Sequence, residues 1–425
     1  MRSAVLLFSF LVFSCPGQAK DAEMNGRGWT AGDWGASIRD VGAGIKNYPN
    51  SALFGADNPG DYYSETIIRL TASNIGNALF FPGLVEAHLV GGMVKSSASV
   101  QSGLGGLSQV FSGRRYRTSR ELFERKTWNE TGAVYYLDLD RANFKYSFAI
   151  GDLTMGRQAV TFGQTYFWNP LDVFNPFDAR SFDRDYKPGV DVIRLDTPLG
   201  DFAGINLVVA SYGGSPEYKN NVFLFRCYGD MEGWDMAFQG GQIYGGNQFG
   251  GGLSGEACSL EVRGEAVWFK TKIGDQVPER SGLKMLDNSF SGVFGLGRKV
   301  TSKITVESEY FYNGAGVPHD LDAAALRMAS GNSLQMGRHL AGISVSWEAL
   351  PLLVPRLACI SSFSDGSRAI QPALTCSLSN ESELVAGAVI NMGKRPGSGP
   401  GGETRLRSEF GANPDAYYME IKLYF

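Results

Sequence analysis

Apolar and polar side chains alternate with a period of two residues in segments spread along most of the chain. Residues 133–140, 260–268, 304–310 and 343–347 each place apolar side chains on every second position. Because successive side chains of a strand point to opposite faces, each segment is predicted to be a strand with one apolar and one polar face. The recurrence of the pattern predicts an all-β chain.

One short segment interrupts this alternation. Residues 141–143, with the sequence Arg-Ala-Asn, separate the alternating run 133–140 from a second run, 144–151. Two adjacent strands joined by a tight turn form a β-hairpin, so a hairpin with its turn at residues 141–143 is predicted. Its polar face carries Asp138 and Asp140.

The last residues of the sequence also alternate, and their apolar face is aromatic at both ends. Glu420 and Lys422 lie on the opposite, polar face. This segment resembles the closing strand of a bacterial outer-membrane β-barrel, in which a terminal aromatic residue is the assembly mark. The resemblance implies a partner, the outer-membrane barrel assembly machinery; an ordinary amphipathic edge strand is the alternative. The apolar face carries Tyr417, Met419, Ile421, Leu423 and Phe425.

Alternation also occurs in soluble β-sandwiches, so other features must separate the two folds. The alternating segments are about ten residues long, aromatic residues cluster near their ends, and short connections alternate with long ones, as in membrane barrels. These features predict a single closed antiparallel transmembrane β-barrel of about 18 strands (range roughly 14–18), with short periplasmic turns and long outer loops.

The N-terminal residues predict export. Residues 1–19 have the features of a secretory signal peptide, because an apolar run at 4–14 is followed by small residues up to Ala19. The apolar run is too short for a transmembrane helix, which needs about 20 residues. A lipoprotein signal cleaved before Cys15 is the alternative.

The same pattern sets the predicted domain boundaries. Residues 20–60 are glycine-rich and weakly patterned, which predicts an irregular lead-in or a small plug; residues 61–425 are predicted to form the barrel. An even strand count places both chain ends on the periplasmic side. This order leaves residues 95–117 as a long periplasmic connection.

Composition argues against several classes of function. The net charge is −4, whereas a nucleic-acid binder is normally basic, so no nucleic-acid partner is expected. With three His, and no Cys-x-x-Cys pair among the five Cys, neither a metal site nor a cofactor is predicted. No Ser, His and acid at a supporting spacing indicates a nucleophilic site, so the protein is predicted not to be an enzyme.

Residues 151–191 break the alternation and concentrate charges of both signs. The segment 169–172 (Asn-Pro-Leu-Asp) is followed by the similar 175–178 (Asn-Pro-Phe-Asp), and both favour turns. The segment is predicted to fold into the lumen, where its charges either set ion preference in a constriction or form ion pairs that brace the loop. The residues assigned to this constriction or brace are Arg157, Asp172, Asp178, Arg180, Asp183, Arg184, Asp185 and Lys187.

A family resemblance appears in the same segment. The tripeptide 156–158 (Gly-Arg-Gln), Phe162 with Gly163, and the Asn-Pro-x-Asp motif at 169–172 resemble a stretch shared by alginate-export-type porins and related outer-membrane barrels. The resemblance covers about 40 residues. It implies a barrel that passes solutes through a charged lumen.

These observations predict a porin-like channel for small polar solutes or ions in the outer membrane of a Gram-negative bacterium. The protein is expected to be surrounded by outer-membrane lipid. It is expected to be either a monomer or a homo-oligomer. Two other functions stay open. One is an outer-membrane enzyme on a barrel scaffold, and the other is a secreted or surface all-β protein that binds a glycan or acts in assembly.

Overall fold

The computed structural model describes most of the chain, with gaps. The described residues are 33–47, 61–76, 83–96, 116–117, 126–128, 133–174, 176–177, 179–180, 186–211, 221–243, 246–271, 288–318, 321–329, 333–399, 402 and 404–425.

Within these residues most of the chain forms strands, with one short helix. The strands are β1 (Asp33–Lys46), β2 (Tyr62–Gly76), β3 (Leu84–Ser96), β4 (Lys126–Trp128), β5 (Ala133–Phe148), β6 (Gly151–Gln158), β7 (Val190–Pro198), β8 (Ala203–Ala210), β9 (Val222–Met231), β10 (Trp234–Ile243), β11 (Gly246–Ala257), β12 (Leu260–Thr271), β13 (Asn288–Lys299), β14 (Ile304–Asn313), β15 (His339–Trp347), β16 (Leu353–Ser362), β17 (Arg368–Ser379), β18 (Ser382–Met392), β19 (Gly397–Ser398), β20 (Thr404–Arg405) and β21 (Asp415–Tyr424). The helix, α1, spans Leu321–Ala329. None of the described helical residues belongs to a helix long and apolar enough to cross a membrane.

The sheet closes on itself. Each strand from β5 to β18 pairs antiparallel with the next, β21 pairs with β18 and β1, and β1–β2–β3–β5 completes the circle. Without the short β4, the 19-stranded sheet is an antiparallel barrel of 18 strands. The predicted fold class and strand number are confirmed.

The two faces of the barrel wall differ as the alternation predicts. On β21, Tyr417, Met419 and Ile421 are exposed on the outer face, whereas Tyr418 and Glu420 are buried on the inner face. An apolar outer face and a polar inner face are the reverse of a soluble protein, and they suit a barrel surrounded by lipid.

The predicted hairpin turn at residues 141–143 is wrong. These residues lie inside the continuous strand β5, and the actual turn is at 149–150. The alternation changes phase because Asp140 is an extra residue in the ladder: His88 faces Arg141, whereas Leu89 faces Leu139. A β-bulge of this kind inserts one unpaired residue and shifts the pattern to the other face.

Without a turn at residues 141–143, the strands before it run in the opposite direction to the prediction, so residues 95–117 belong to the other end of the barrel. The turn end of the barrel, as we call it, carries Phe425 and the connections 77–83, 149–150, 199–202, 232–233, 258–259, 300–303, 348–352 and 380–381. The connection from β3 to β5 leaves and returns at the opposite, loop end, because Lys95 pairs with Ala133. The loop end also carries the long connections 159–189, 314–338 and 393–414. The start of β1 and Phe425 lie together at the turn end.

The predicted boundary of the barrel at residue 61 is also wrong. β1 runs from Asp33 to Lys46 and closes the barrel between β2 and β21, so residues 20–60 are not all an irregular lead-in or a plug. Its inner face carries Val41, Ala43 and Ile45, whereas Gly42 and Gly44 on the outer face conceal its alternation. The predicted signal peptide, residues 1–19, lies outside the described residues.

Candidate functional site

The connection between β6 and β7, residues 159–189, is called the inward loop, and its described residues fold into the barrel. Two carboxylates on the inner face of the wall hold its backbone. Glu265 on β12 accepts hydrogen bonds from the N–H groups of Gln164 (2.5 Å) and Leu171 (3.0 Å). Glu309 on β14 accepts from Phe167 (2.7 Å) and also from Tyr166. Each carboxylate thereby satisfies loop donors that have no strand partner.

Aromatic packing fixes the far part of the inward loop against β14 and β15. The Trp168 and Phe311 rings stack with their centroids 5.4 Å apart. Phe167 lies directly over Gly342, where a Cβ atom would stand 2.7 Å from the ring. A side chain at position 342 would therefore displace the loop.

The near part of the inward loop packs on β7, β8 and β9. Phe162 and Phe174 join a buried apolar cluster with Val192, Val208 and Leu224 from the inner faces of these strands. Together with the contacts to Glu265 and Glu309, this places the loop along the inner wall from β7 to β15. The loop therefore narrows the lumen from one side.

Buried ion pairs reinforce the wall beside the inward loop. Asp140 accepts from Arg69 (2.7 Å) and Arg117 (3.0 Å), and Arg117 also pairs with Asp138. All four side chains are buried. β6 pairs with β5 over Ala142–Phe148 and β4 pairs with β5 over Ala133–Tyr135, so Asp138 and Asp140 lie on the stretch of β5 between these two ladders.

Arg157, one of the predicted site residues, belongs to this network. Its guanidinium makes two hydrogen bonds to Asp191, at 2.7 and 3.1 Å, and one to the carbonyl of Leu139 at 2.8 Å. Fork-shaped pairing of this kind gives geometric specificity as well as energy. The contacts of Arg157 are those of a brace.

Asp172 and Lys187, also predicted, form a buried ion pair within the inward loop. Burial raises the pKa of the Asp172 carboxyl, and burial lowers the pKa of the Lys187 ammonium, while each partner opposes these shifts. Asp172 and Lys187 are 15 residues apart, so their ion pair links the middle of the inward loop to its end.

The other predicted charges are only partly described. Arg180 is half-buried and lies close enough to Glu409 to lower the pKa of that carboxyl. Asp178, Asp183, Arg184 and Asp185 lie outside the described residues. In the described part of the chain, no group of three or more His, Cys, Asp or Glu side chains could hold a metal ion.

Sequence reasoning missed Arg226 on β9. It faces the lumen, since it pairs in register with Gln239, which donates to the carbonyl of Leu171 in the inward loop. The guanidinium of Arg226 lies 5.1 Å from the Phe162 ring and donates to Asn206 at 3.1 Å. Within the described chain, no carboxylate forms an ion pair with it.

A second arginine lies beside Arg226. Arg194 on β7 donates to Asp196 at 2.7 Å, and Asn206 donates to the same carboxylate oxygen. Asn206 and Asp196 connect the two guanidiniums, and Glu265 on β12 is near enough to act on the Arg226 charge as well. Both faces of β9 are largely apolar (Phe223 and Phe225 outside, Val222 and Leu224 inside), so the sequence does not indicate which face of the strand meets the lumen.

Comparison with known proteins shows which fold this is. No protein-family model and no curated protein matches the chain. Among solved structures, OccAB4 of Acinetobacter baumannii has a TM-score of 0.55 at 9% identity, with 93% of this chain and 98% of that chain covered. OccK8 (OprE) of Pseudomonas aeruginosa has a TM-score of 0.53 at 6% identity, with 94% and 99% covered. OpdK of Pseudomonas aeruginosa with vanillate has a TM-score of 0.52 at 9% identity, with 92% and 98% covered. The chain is thus similar in fold to these proteins over nearly the whole length of each.

Proposed function

We propose that this protein is an outer-membrane channel through which small polar solutes or ions pass. The observation that carries the proposal is a closed barrel with an apolar outer face and a charged inner face, narrowed by the inward loop. Because the barrel is closed, the backbone N–H and C=O groups of every strand edge have hydrogen-bond partners, as a lipid environment requires. The charged side chains inside provide a path for hydrated solutes. The long connections at the loop end are the expected outer loops.

The charges in the lumen favour small anions. Arg226 has no ion-pair partner in the described chain, whereas Arg157, Asp172 and Lys187 are neutralised in buried pairs. A fixed cation in a narrow, low-dielectric passage attracts anions and repels cations. The solved structure of OpdK with vanillate is one case of a similar fold with a small ligand.

Three expectations from the sequence stay predictions. The resemblance of residues 156–172 to alginate-export-type porins is one, although the net charge of −4 suits a polyanion poorly. Assembly by the barrel assembly machinery and a homo-oligomeric state are the others. We also assign Arg157, Asp172 and Lys187 to bracing, and leave Asp178, Asp183, Arg184 and Asp185 as candidates for the constriction.

Conductance in a planar lipid bilayer tests the proposal. Purified protein should give discrete current steps with a preference for chloride over potassium. Arg226→Glu should reduce or reverse that preference, because it places an acid where the lumen has an unpaired cation. Arg298→Glu, the same charge change on an exposed arginine at the turn end that shares the outer face of β13 with Phe294, is the control and should keep the preference. A folded protein that gives no current contradicts the channel; unchanged selectivity in Arg226→Glu contradicts only the anion preference.

A further inference from the structure

A cluster of basic side chains stands at the loop end of the seam where β1 meets β21. Residues 393–408 contain four cationic side chains and a single acid, Glu403. Lys46, the last residue of β1, adds a fifth cation next to them. We call this group the basic cluster; its members are Lys46, Lys394, Arg395, Arg405 and Arg407.

The backbone that carries the basic cluster is held in place. β19 and β20 form a short hairpin in which Gly397 pairs with Arg405. The N–H group of Leu406 donates to Asp322 of α1 at 3.0 Å, and the hydroxyl of Ser408 donates to the carbonyl of Lys394 at 2.7 Å. The cations are therefore presented on a supported surface.

The position of the basic cluster relative to the apolar outer wall is the informative feature. The ammonium of Lys46 lies 5.8 Å from the ring centroid of Tyr417, an exposed aromatic residue on the outer face of β21. Arg395 donates to the carbonyl of Asn47 at 2.8 Å. The cations thus begin where the outward-facing apolar side chains end. That is the level of lipid headgroups, where Lys and aromatic side chains anchor membrane proteins.

Four of the five cations in the basic cluster have no ion pair among the described residues. In the described part of the chain, Lys46, Lys394, Arg395 and Arg407 form no ion pair with a carboxylate. Asp415, which faces Lys46 in the β1–β21 register, is buried, and its oxygens accept from the Asn47 side chain and the Asn391 N–H group. These four cations therefore supply the positive charge of the basic cluster.

We propose that the basic cluster binds the phosphate groups of an anionic membrane lipid in the leaflet around the loop end. Phosphate oxygens accept hydrogen bonds from guanidinium and ammonium groups, and clustered Lys and Arg residues beside a membrane surface attract anionic headgroups. The proposal rests on the membrane placement of the barrel given above, but it does not depend on conduction.

Lipid binding to the full-length protein in a neutral detergent tests this. The probes are diphosphorylated lipid A, the same lipid with its phosphates removed, and inorganic phosphate. The double variant Lys46→Glu/Arg395→Glu reverses two cations of the cluster. Lys299→Glu/Lys303→Glu makes the same charge change with two exposed cations at the turn end and serves as the matched control. Circular dichroism of both variants verifies the folded barrel, and bilayer conductance tests the channel separately.

We expect the phosphorylated lipid to bind in preference to the dephosphorylated one. The cluster variant should weaken its binding by about tenfold or more, and the control should keep wild-type affinity. Binding that does not depend on the lipid phosphates overturns the proposal, as does an equal loss in both variants. Displacement of the lipid by inorganic phosphate at similar concentration overturns the assignment to lipid. Loss of conductance with intact lipid selectivity contradicts only the channel.

Discussion

At the scale of single residues, burial decides what an ion pair contributes. Arg157 is buried between Asp191 and the backbone of β5, whereas the pair of Lys145 with Asp152 is largely exposed. Removing one partner of a buried pair leaves an uncompensated charge and costs about 3–5 kcal/mol, but exposed pairs contribute about 0–1 kcal/mol. The two sites therefore make a matched comparison.

We expect Arg157→Gln to lower the free energy of unfolding by about 3 kcal/mol, because Asp191 loses its fork-shaped partner. Lys145→Gln should change it by less than about 1 kcal/mol. Urea unfolding of the barrel in lipid vesicles, followed by tryptophan fluorescence, measures both. A stable Arg157→Gln barrel with altered ion selectivity would assign Arg157 to the lumen and not to the brace.

Asp40 is an acid on the lipid-facing side of β1. In register it faces Ile421 of β21 on one side and Thr66 of β2 on the other, and the Thr66 hydroxyl donates to its carboxylate at 2.5 Å. An acid on the lipid face of a barrel is destabilising, though less so than a basic residue. Asp40→Val should therefore stabilise the barrel by about 1 kcal/mol.

Thr66→Val should have the opposite effect, since it leaves the carboxylate of Asp40 without its hydroxyl donor. The same urea titration in vesicles reports both variants. Destabilisation by Asp40→Val would mean that the carboxylate has a partner in the membrane, such as a second copy of the chain.

At the scale of elements, the sequence predicts strands better than their junctions. Both a turn and a bulge shift the phase of an alternating pattern, so the change between Leu139 and Phe144 was consistent with either. The structure has the bulge, at Asp140. β1 was missed because the outer face of a strand can carry Gly42 and Gly44 in place of bulky apolar side chains, which removes the contrast that identifies a strand.

Glu409 joins two long connections at the loop end. Its carboxylate, in the 393–414 connection, accepts from the N–H groups of Met336 (3.0 Å) and Gly337 (2.9 Å) in the 314–338 connection. Burial raises its pKa to about 7; the two N–H donors and Arg180 oppose the shift, and Asp365 adds to it. The folded state therefore binds the Glu409 proton more tightly than the unfolded state does. This contribution to stability is complete below about pH 4.5 and is lost as the pH rises through about 7.

We expect the Met336 and Gly337 amides to be better protected from hydrogen exchange at pH 5 than at pH 8, after correction for intrinsic exchange rates. Glu409→Gln, which is neutral at both values, should remove the difference. Mass spectrometry of the exchanged peptides measures it. The same pH dependence in Glu409→Gln would exclude this carboxyl as its origin.

At the scale of the whole molecule, side-chain contacts are hard to predict from the sequence when the two residues lie far apart along the chain. A charged segment that folds inward could be predicted from residues 151–191, because its composition differs from the strands around it. The partners of Arg157 lie 18 and 34 residues away on the adjacent strands β5 and β7, whereas Glu265 and Glu309, which hold the inward loop, lie 94 and 142 residues from the loop residues that they bind. Arg226 shows the same limit, since its role follows from the face that the register of β9 and β10 assigns to it.

The closing strand allows assembly to be separated from stability. Phe425 makes two backbone hydrogen bonds with Ala36, and its side chain is 70% exposed. Phe425→Ala keeps both hydrogen bonds, so it should change the free energy of unfolding of the assembled barrel by less than about 0.5 kcal/mol. Trp34 is a matched control, since it is an aromatic residue at the same end of β1 that is 75% exposed.

If the assembly machinery recognises the terminal aromatic residue, Phe425→Ala should reduce the amount of heat-modifiable barrel in outer membranes several-fold. Trp34→Ala should leave that amount unchanged, and both purified variants should refold equally well in vesicles. Equal losses in cells would make the effect a general one of exposed aromatic residues at this rim. A loss of stability in Phe425→Ala would place the contribution of this side chain in the folded barrel and not in its assembly.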